Sequence, residues 1–247
     1  MIPAISPEDA ETFARDGIVC MRNMFDPAWV ADLQSLADDM LNAEERHPEQ
    51  SQELAKDGDE GRFFNEMFIW PRHDGFKRVI FDSPIAAIAG PVMGATRAHV
   101  LFDQLLIKEP GTGEPTPWHH DQPYWPFRGA QICTLWLALD DVTAESGAVE
   151  YVKGSHWWGK KFQPTSFVGD GRYQQDGLDV LPDIEAMRDD LDIVHFEMAP
   201  GDCTLHHGLT VHAAPGNKLA DRRRRAYVTR WGGDDVTYDP RDGTQPM

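Results

Sequence analysis

The sequence predicts a mainly β domain with flanking helices, built as an antiparallel sandwich or barrel. Short segments with strand-like patterns follow one another from His99 to Trp231. Turn residues separate these segments, as at Pro110-Gly111, Pro200-Gly201 and Pro215-Gly216. Many short strands punctuated by turns are typical of antiparallel sheets. The 247 residues suit a single domain, and we predict a helical N-terminal part at about 1–95 and a barrel core at about 96–235.

Helical patterns occupy much of the first third. Ser6-Pro7 is a typical helix start, and Asp16-Gly17 a typical end. A short strand follows at 18–21, and a second helix runs from Asp26 to about residue 43 with apolar residues at helical spacing. Residues 44–61 are mostly polar without a period, so we predict a mobile surface loop there. A further short helix is predicted at about 83–93.

The remaining chain carries the strand predictions. The predicted strands are 99–108, 130–139, 148–152, 193–197, 202–206 and 224–231. An acidic insertion from Asp170 to Asp192 lies between two of them and is predicted to be partly helical over 182–191.

Composition excludes several classes of function. The formal net charge of −18 disfavours nucleic acid and anionic lipid as partners, so a small-molecule substrate is expected. Cys20, Cys133 and Cys203 are far apart, which argues against a disulfide framework and suits a reducing compartment. No apolar run approaches membrane-spanning length, and no leader pattern opens the chain. We therefore expect a soluble, cytoplasmic protein.

The densest chemical signal is the segment Trp118-His119-His120-Asp121. Residues i and i+2 of an extended segment share a face, so His119 and Asp121 converge while His120 points away. One imidazole and one carboxylate are two of the three ligands in the 2-His-1-carboxylate set that holds Fe(II). Such a short pair is weak evidence by itself, because it arises often by chance.

The third ligand has to come from a distant segment. His206, His207 and His212 are the candidates, and His212 is favoured because it ends a strand-like stretch just before a turn. The run Arg222-Arg223-Arg224-Arg225 then opens the last predicted strand. One of these arginines, facing inward, is suited to bind the distal carboxylate of an oxo-diacid, while its neighbours meet solvent or acids.

Several separated blocks in this order resemble the phytanoyl-CoA dioxygenase family of 2-oxoglutarate oxygenases. Beyond the Trp118-His119-His120-Asp121 segment, the matching blocks are 13–19, 25–27, 136–141, 145–148, 152–156 and 212–217, followed by the arginines. The resemblance covers nearly the whole chain and implies a double-stranded β-helix core of the jelly-roll or cupin-like type. It also implies Fe(II), 2-oxoglutarate and O₂ as cofactor and co-substrates.

The resemblance assigns roles to individual residues. It implies His119, Asp121 and His212 as catalytic iron ligands and Arg224 as the residue that pairs with 2-oxoglutarate, with Arg223 as the alternative. Trp136 matches a tryptophan that lines the co-substrate pocket, and ordinary core packing is an equal explanation for it. Gln104 is a further candidate for facing the site. Many relatives carry Ser where this chain has Ala214, which weakens one expected co-substrate contact.

The implied reaction is hydroxylation of a small organic substrate with release of succinate and CO₂. Desaturation, epimerisation or ring closure uses the same metal set, so these reactions stay open. A non-catalytic binding barrel or a zinc hydrolase would also suit the histidines, but both leave the inward arginine without a purpose. A CoA thioester is disfavoured because the chain has few clustered cations. His120, His156 and His207 are expected to be structural. The sequence does not indicate an oligomeric state.

Overall fold

The computed structural model describes residues 5–56, 58–165 and 171–245. The helices are α1 (Pro7–Asp16), α2 (Pro27–Asn42), α3 (Asp74–Asp82) and α4 (Ile85–Val92). The strands are β1 (Ile18–Met21), β2 (Ser51–Glu53), β3 (Phe63–Met67), β4 (His99–Lys108), β5 (Thr116–His119), β6 (Phe127–Arg128), β7 (Ile132–Ala138), β8 (Glu150–Val152), β9 (Ile193–His195), β10 (Cys203–His207), β11 (His212–Ala214), β12 (Arg224–Gly232) and β13 (Thr237–Tyr238). Short 3-10 turns occupy Gln122–Tyr124, Ser155–Trp157 and Arg188–Asp190.

The strands form two main antiparallel sheets. The major sheet has seven strands in the order β1-β10-β7-β12-β4-β3-β2, and the minor sheet has four in the order β5-β11-β8-β9. β6 and β13 form a separate pair. From β1 to β4, neighbours in the major sheet are far apart in sequence, as in a double-stranded β-helix, where the chain crosses repeatedly between sheets. The prediction of a mainly β fold with flanking helices and this core is confirmed.

Alternation along the major sheet separates its two faces. On β7, Leu135 and Leu137 pack in the same core cluster as residues of all four helices. The alternate residues Trp136 and Ala138 pack in a second cluster with residues of the minor sheet such as Tyr151. Successive side chains of a strand point to opposite faces, so one face of the sheet binds the helices and the other faces the minor sheet. The candidate site lies on this second face.

The first helix and strand are joined by a glycine that the geometry requires. The Ser6 hydroxyl accepts a hydrogen bond from the Asp9 amide at 3.1 Å, which caps the start of α1. Gly17 ends the helix with φ 75°, and its N–H donates to the carbonyl of Phe13. A side chain at Gly17 would also collide with the ring of His156. β1 then pairs with β10, which carries His206.

Two predictions of secondary structure differ in part from the structure, and one helix was not predicted. The predicted surface loop at 44–61 contains β2, which pairs with β3 at the edge of the major sheet. Backbone pairing stabilises this edge strand without an apolar period. The stretch 182–191, predicted to be partly helical, contains the 3-10 turn Arg188–Asp190 and no α-helix, since Ile184 is buried but Met187 is exposed and no continuous apolar face forms. Helix α3 was not predicted, and Asp170, where the insertion was predicted to begin, lies outside the described residues.

Among the described residues, no helix combines the length and the apolar character needed to cross a lipid bilayer.

Candidate metal centre and co-substrate pocket

Two histidines of the minor sheet face each other across a strand pair. His119 ends β5, His212 begins β11, and their Cα atoms are register partners. Asp121 lies two residues after the end of β5 and immediately precedes the 3-10 turn Gln122–Tyr124. One ligand atom from each of these three side chains lies within 4.8 Å of the others, and all three side chains are buried. The geometry therefore brings together the three residues named from the sequence.

Backbone carbonyls orient both imidazole rings. Nδ1 of His119 lies 2.7 Å from the carbonyl of Pro117, and Nδ1 of His212 lies 2.9 Å from the carbonyl of Thr210. Each Nδ1 donates its proton to that carbonyl, so Nε2 is the nitrogen that carries the lone pair in each ring. The two Nε2 atoms lie 3.5 Å and 3.7 Å from Oδ1 of Asp121. This is the orientation that metal-binding histidines commonly adopt.

The other oxygen of Asp121 has two partners from the major sheet. Thr134 donates its hydroxyl to Oδ2 at 2.7 Å, and His206 places Nε2 at 3.3 Å from the same atom. Burial opposes ionisation of this carboxyl, but the adjacent His212, His119 and His206 hold the pKa of Asp121 well below its usual range. Oδ1 is thus available to a cation while Oδ2 is engaged.

The role of His206 was not evident from the sequence, where it is only one of three possible ligands. It is buried on β10, and its ring centroid lies 4.4 Å from that of His212. Its Nδ1 has no hydrogen-bond partner among the described residues. Burial lowers the pKa of His206, so the neutral ring is favoured at neutral pH. His206 lies two residues after Thr204, whose hydroxyl also faces inward. This spacing along a strand was the sequence signal that could have indicated an inward His206.

A single cavity connects the metal residues to the major sheet. Its lining includes the three candidate ligands and side chains from β3, β4, β7, β11 and β12. Among the lining residues are Asn65, Phe102, Gln104, Tyr124, Trp125, Trp136, Arg224 and Arg230. Most of the lining is apolar, and the polar groups are few and specific, as is usual for a small-molecule site.

Arg224 lines this cavity and is 2% exposed. Its guanidinium carbon lies 5.3 Å from the ring centroid of Trp136, and its Nε has no hydrogen-bond partner among the described residues. Desolvation lowers the pKa of Arg224 to about 10, which leaves it charged at neutral pH. It forms no salt bridge within the described part of the chain. A buried cation without an anion is costly, so this position is prepared for an anionic ligand.

The other arginines of the run point elsewhere. Arg223 forms ion pairs with Asp38 at 2.8 Å and Glu109 at 3.2 Å, and its side chain is 37% exposed. Arg225 pairs with Asp140 at 2.7 Å. Of the two candidates for the co-substrate, only Arg224 therefore lines the cavity, while its neighbours bind acids as the sequence predicted.

Gln104 also lines the cavity, and its side chain amide has two protein partners. Its Nε2 donates to Asn65 at 2.6 Å, and its Oε1 accepts a hydrogen bond from Arg230. A direct contact between Gln104 and a co-substrate stays a prediction.

Three histidines lie apart from the metal residues. His120 accepts a hydrogen bond from the amide of Phe162 at 2.8 Å. His156 donates to the carbonyl of Ala14 at 3.2 Å, and His207 to that of Ala130 at 2.8 Å. Each bonds to backbone, as expected for structural histidines.

The donor set fits Fe(II). Two imidazole nitrogens and one carboxylate oxygen beside a cavity match the 2-His-1-carboxylate donor set of non-haem iron oxygenases. His119, Asp121 and His212 would hold the ion, and Thr134 and His206 would orient the carboxylate.

Comparison with known proteins agrees with this geometry. The structure is similar to the nogalamycin carbocyclase SnoK, described as non-haem and α-ketoglutarate dependent, with a TM-score of 0.77 and 25% identity over 96% of this chain and 87% of that chain. It is also similar to the α-ketoglutarate-dependent epimerase SnoN, with a TM-score of 0.73 and 25% identity over 94% of this chain and 82% of that chain. Both cover nearly all of the chain, so the likeness extends well beyond the metal segment.

Curated sequences give more partial matches. A probable phytanoyl-CoA dioxygenase of Caenorhabditis elegans is 25% identical over 174 residues, covering 69% of this chain and 52% of the relative. A probable α-ketoglutarate-dependent hypophosphite dioxygenase of Stutzerimonas stutzeri is 30% identical over 128 residues, covering 50% of this chain and 42% of the relative. The chain thus spans about half the length of the curated relatives it matches.

The sequence profile of the family described as phytanoyl-CoA dioxygenase matches residues 13–226. That match includes the end of α1, all three candidate ligands and Arg224. The chain therefore belongs to the phytanoyl-CoA dioxygenase family.

Proposed function

We propose that this protein is an Fe(II)- and 2-oxoglutarate-dependent oxygenase that hydroxylates a small organic substrate. One observation carries the proposal: a buried His119–Asp121–His212 set opens on the same cavity as Arg224, a buried cation without a salt bridge in the described chain. A metal site alone suits many reactions. A metal site that shares a cavity with an unpaired arginine suits a reaction in which a diacid binds the metal at one end and the arginine at the other.

Each part of the site has a distinct task. Iron held by His119, Asp121 and His212 would supply the oxidising chemistry, in which O₂ converts 2-oxoglutarate to succinate and CO₂. Arg224 binds the distal carboxylate and so sets the orientation of the co-substrate. Trp136 packs against the guanidinium and limits its movement. Thr134 and His206 hold the Asp121 carboxylate in one rotation.

The apolar lining excludes bulk water from the reacting centre. Tyr124 is fixed by hydrogen bonds of 2.8 Å and 2.9 Å to the backbone of Thr165, and Trp125 packs edge-on against Phe102 at 5.5 Å. Enclosure of this kind protects reactive species from side reactions with solvent.

The test needs no substrate. The protein is prepared anaerobically, Fe(II) and then 2-oxoglutarate are added, and the weak visible metal-to-ligand charge-transfer band is recorded. The wild type is expected to form the band, Asp121→Ala to lose it, and Arg224→Ala to need about 30-fold or more 2-oxoglutarate, because one partner of a buried charge pair is removed. Arg223→Ala is the matched control on the neighbouring surface position and should behave as wild type. No band in wild type protein with bound Fe(II) would overturn the proposal.

A related oxidation is the second candidate for the reaction. SnoN and SnoK are named as an epimerase and a carbocyclase, so the fold accommodates outcomes other than hydroxylation. Incorporation of ¹⁸O from ¹⁸O₂ into the product separates hydroxylation from these outcomes.

We further propose a cytoplasmic location. Cys20, Cys133 and Cys203 are all free thiols, and unpaired cysteines suit a reducing compartment.

A further inference from the structure

A second buried arginine lines the same cavity. Arg230 lies on β12, on the same face as Arg224, and is 8% exposed. Its guanidinium carbon lies 4.8 Å from the ring centroid of Phe102, and its Nη2 donates to Oε1 of Gln104. Neither metal binding nor the pairing of Arg224 with 2-oxoglutarate requires this residue.

The remaining donors of Arg230 have no acceptor. Nε and Nη1 find no hydrogen-bond partner among the described residues, and no salt bridge joins Arg230 to a described carboxylate. Arg225, by contrast, has Asp140 at 2.7 Å and Asp38 at 3.0 Å. A buried guanidinium with unsatisfied N–H groups is destabilising. Retaining one in a ligand cavity is consistent with a ligand that supplies the missing acceptors.

Arg230 stands at the metal end of the cavity. Its Cα partner on β7 is Thr134, the residue that bonds the Asp121 carboxylate. Arg224 lies six residues before Arg230 on β12, where its register partner is Lys108. Six residues of extended strand place the two arginine Cα atoms about 20 Å apart. One cation therefore lies at the end assigned to the distal carboxylate of the co-substrate, and the other lies beside the metal residues.

A chain of amides holds Arg230 in place. Gln52 accepts from Asn65 at 3.1 Å, Asn65 accepts from Gln104 at 2.6 Å, and Gln104 accepts from Arg230. These polar side chains line the cavity wall, while Phe102, Trp125 and Tyr124 supply apolar surface near the guanidinium. The surroundings thus combine one fixed cation with an apolar enclosure.

We propose that Arg230 binds a carboxylate of the primary substrate, so that the substrate is a small organic acid with an apolar or aromatic body. This inference rests on the proposed oxygenase function and adds the class of substrate. The carboxylate would accept a hydrogen bond from a free N–H of Arg230, at Nε or at Nη1, and the apolar body would lie against the aromatic lining. Gln104 is a positioning residue in this arrangement, because it acts through Arg230.

The experiment uses the anaerobic Fe(II)·2-oxoglutarate complex and two matched probe pairs. Acetate is compared with acetamide, and 3-phenylpropionate with 3-phenylpropionamide, at constant ionic strength. Binding is read as a shift of the charge-transfer band, and succinate formation is measured after O₂ is admitted. The acids are expected to shift the band with wild type protein, 3-phenylpropionate more strongly than acetate, and the amides are not. This comparison needs no variant.

Variants then assign the effect to Arg230. Arg230→Gln is expected to raise the half-saturating concentration of 3-phenylpropionate about 30-fold or more, with the dissociation constant of 2-oxoglutarate within about twofold of wild type. Arg230→Lys should restore part of the response, and Arg225→Gln is the control for loss of a buried arginine on the same strand.

The outcomes separate the two proposals. If the band forms but the acids do not shift it, or the amides match them, the substrate class is wrong while the oxygenase function stands. If Arg230→Gln weakens 2-oxoglutarate instead of the acid, Arg230 belongs to the co-substrate site and the inference is overturned. If wild type protein forms no band at all, it is the oxygenase function that has failed.

Discussion

Thr134 donates a hydrogen bond of 2.7 Å to Oδ2 of Asp121. A side chain of the major sheet thus orients a candidate metal ligand that follows a strand of the minor sheet. The threonine lies on β7, and the aspartate follows β5. The contact leaves Oδ1 toward His119 and His212. Because the two sheets meet at this hydrogen bond, the geometry of the metal site depends on their packing.

Replacing Thr134 with Val is expected to weaken Fe(II) binding by about 10- to 100-fold, because the carboxylate loses the donor that fixes its rotation. The dissociation constant for Fe(II) is measured by anaerobic titration. Thr229→Val is the matched control, since that buried hydroxyl accepts from the indole of Trp231 at 2.8 Å and lies off the cavity. Equal metal affinity in the Thr134 variant and wild type would show that this hydrogen bond does not orient Asp121.

Replacing Trp136 with Leu is expected to raise the dissociation constant of 2-oxoglutarate about 10- to 30-fold. The loss of the ring removes a desolvated cation–π contact of about 2 kcal/mol that holds Arg224 in place. The charge-transfer band reports the affinity. Trp125→Leu serves as control, because Trp125 packs on Phe102 and does not contact Arg224. An unchanged affinity of Trp136→Leu for 2-oxoglutarate would show that Trp136 serves only core packing.

Replacing Asp103 with Ala is expected to lower the free energy of unfolding by about 3 kcal/mol or more. Its buried carboxylate accepts hydrogen bonds from the amides of Ile69 at 2.7 Å and Trp70 at 3.0 Å and from the hydroxyl of Tyr227 at 2.8 Å. Removing it leaves these buried donors unsatisfied. Tyr227→Phe removes only one donor and should cost about 1 kcal/mol. Denaturant unfolding measures both; similar losses in the two variants would contradict this account.

His207 is expected to make stability depend on pH. Burial, with a contribution from the nearby His156, lowers the pKa of His207 to about 4, against 6.5 for an ordinary histidine. Protonation therefore favours the unfolded chain, so the contribution is complete above pH 6.5 and is lost as pH falls from 6.5 toward 4. The stability advantage of wild type over His207→Gln should shrink by up to about 3 kcal/mol between pH 7 and pH 4. Parallel pH profiles for the two proteins would show that His207 titrates normally in the folded state.

Local patterns predicted much of the site. The pair His119 and Asp121 follows from the period of an extended segment, and the inward position of one arginine follows from a charged run that opens a strand. Alternation also placed His120 away from the metal residues. Sequence order and turn chemistry were sufficient for most of the strands after residue 98, because the patterns concerned are local.

The sequence by itself predicted the fold class and the pair His119 and Asp121, because these depend on residue type and spacing along the chain. The resemblance to a known family added His212 as the third candidate ligand. Only the tertiary structure showed that Arg224, and not Arg223, lines the cavity, because neighbouring residues of one run are turned to different faces by sheet pairing. It also revealed Thr134, His206 and Arg230, which come from separate strands and meet the site only when β10, β7 and β12 lie side by side. The edge strand β2 escaped prediction for a similar reason: its stability comes from backbone pairing with β3, which leaves no period in the side chains.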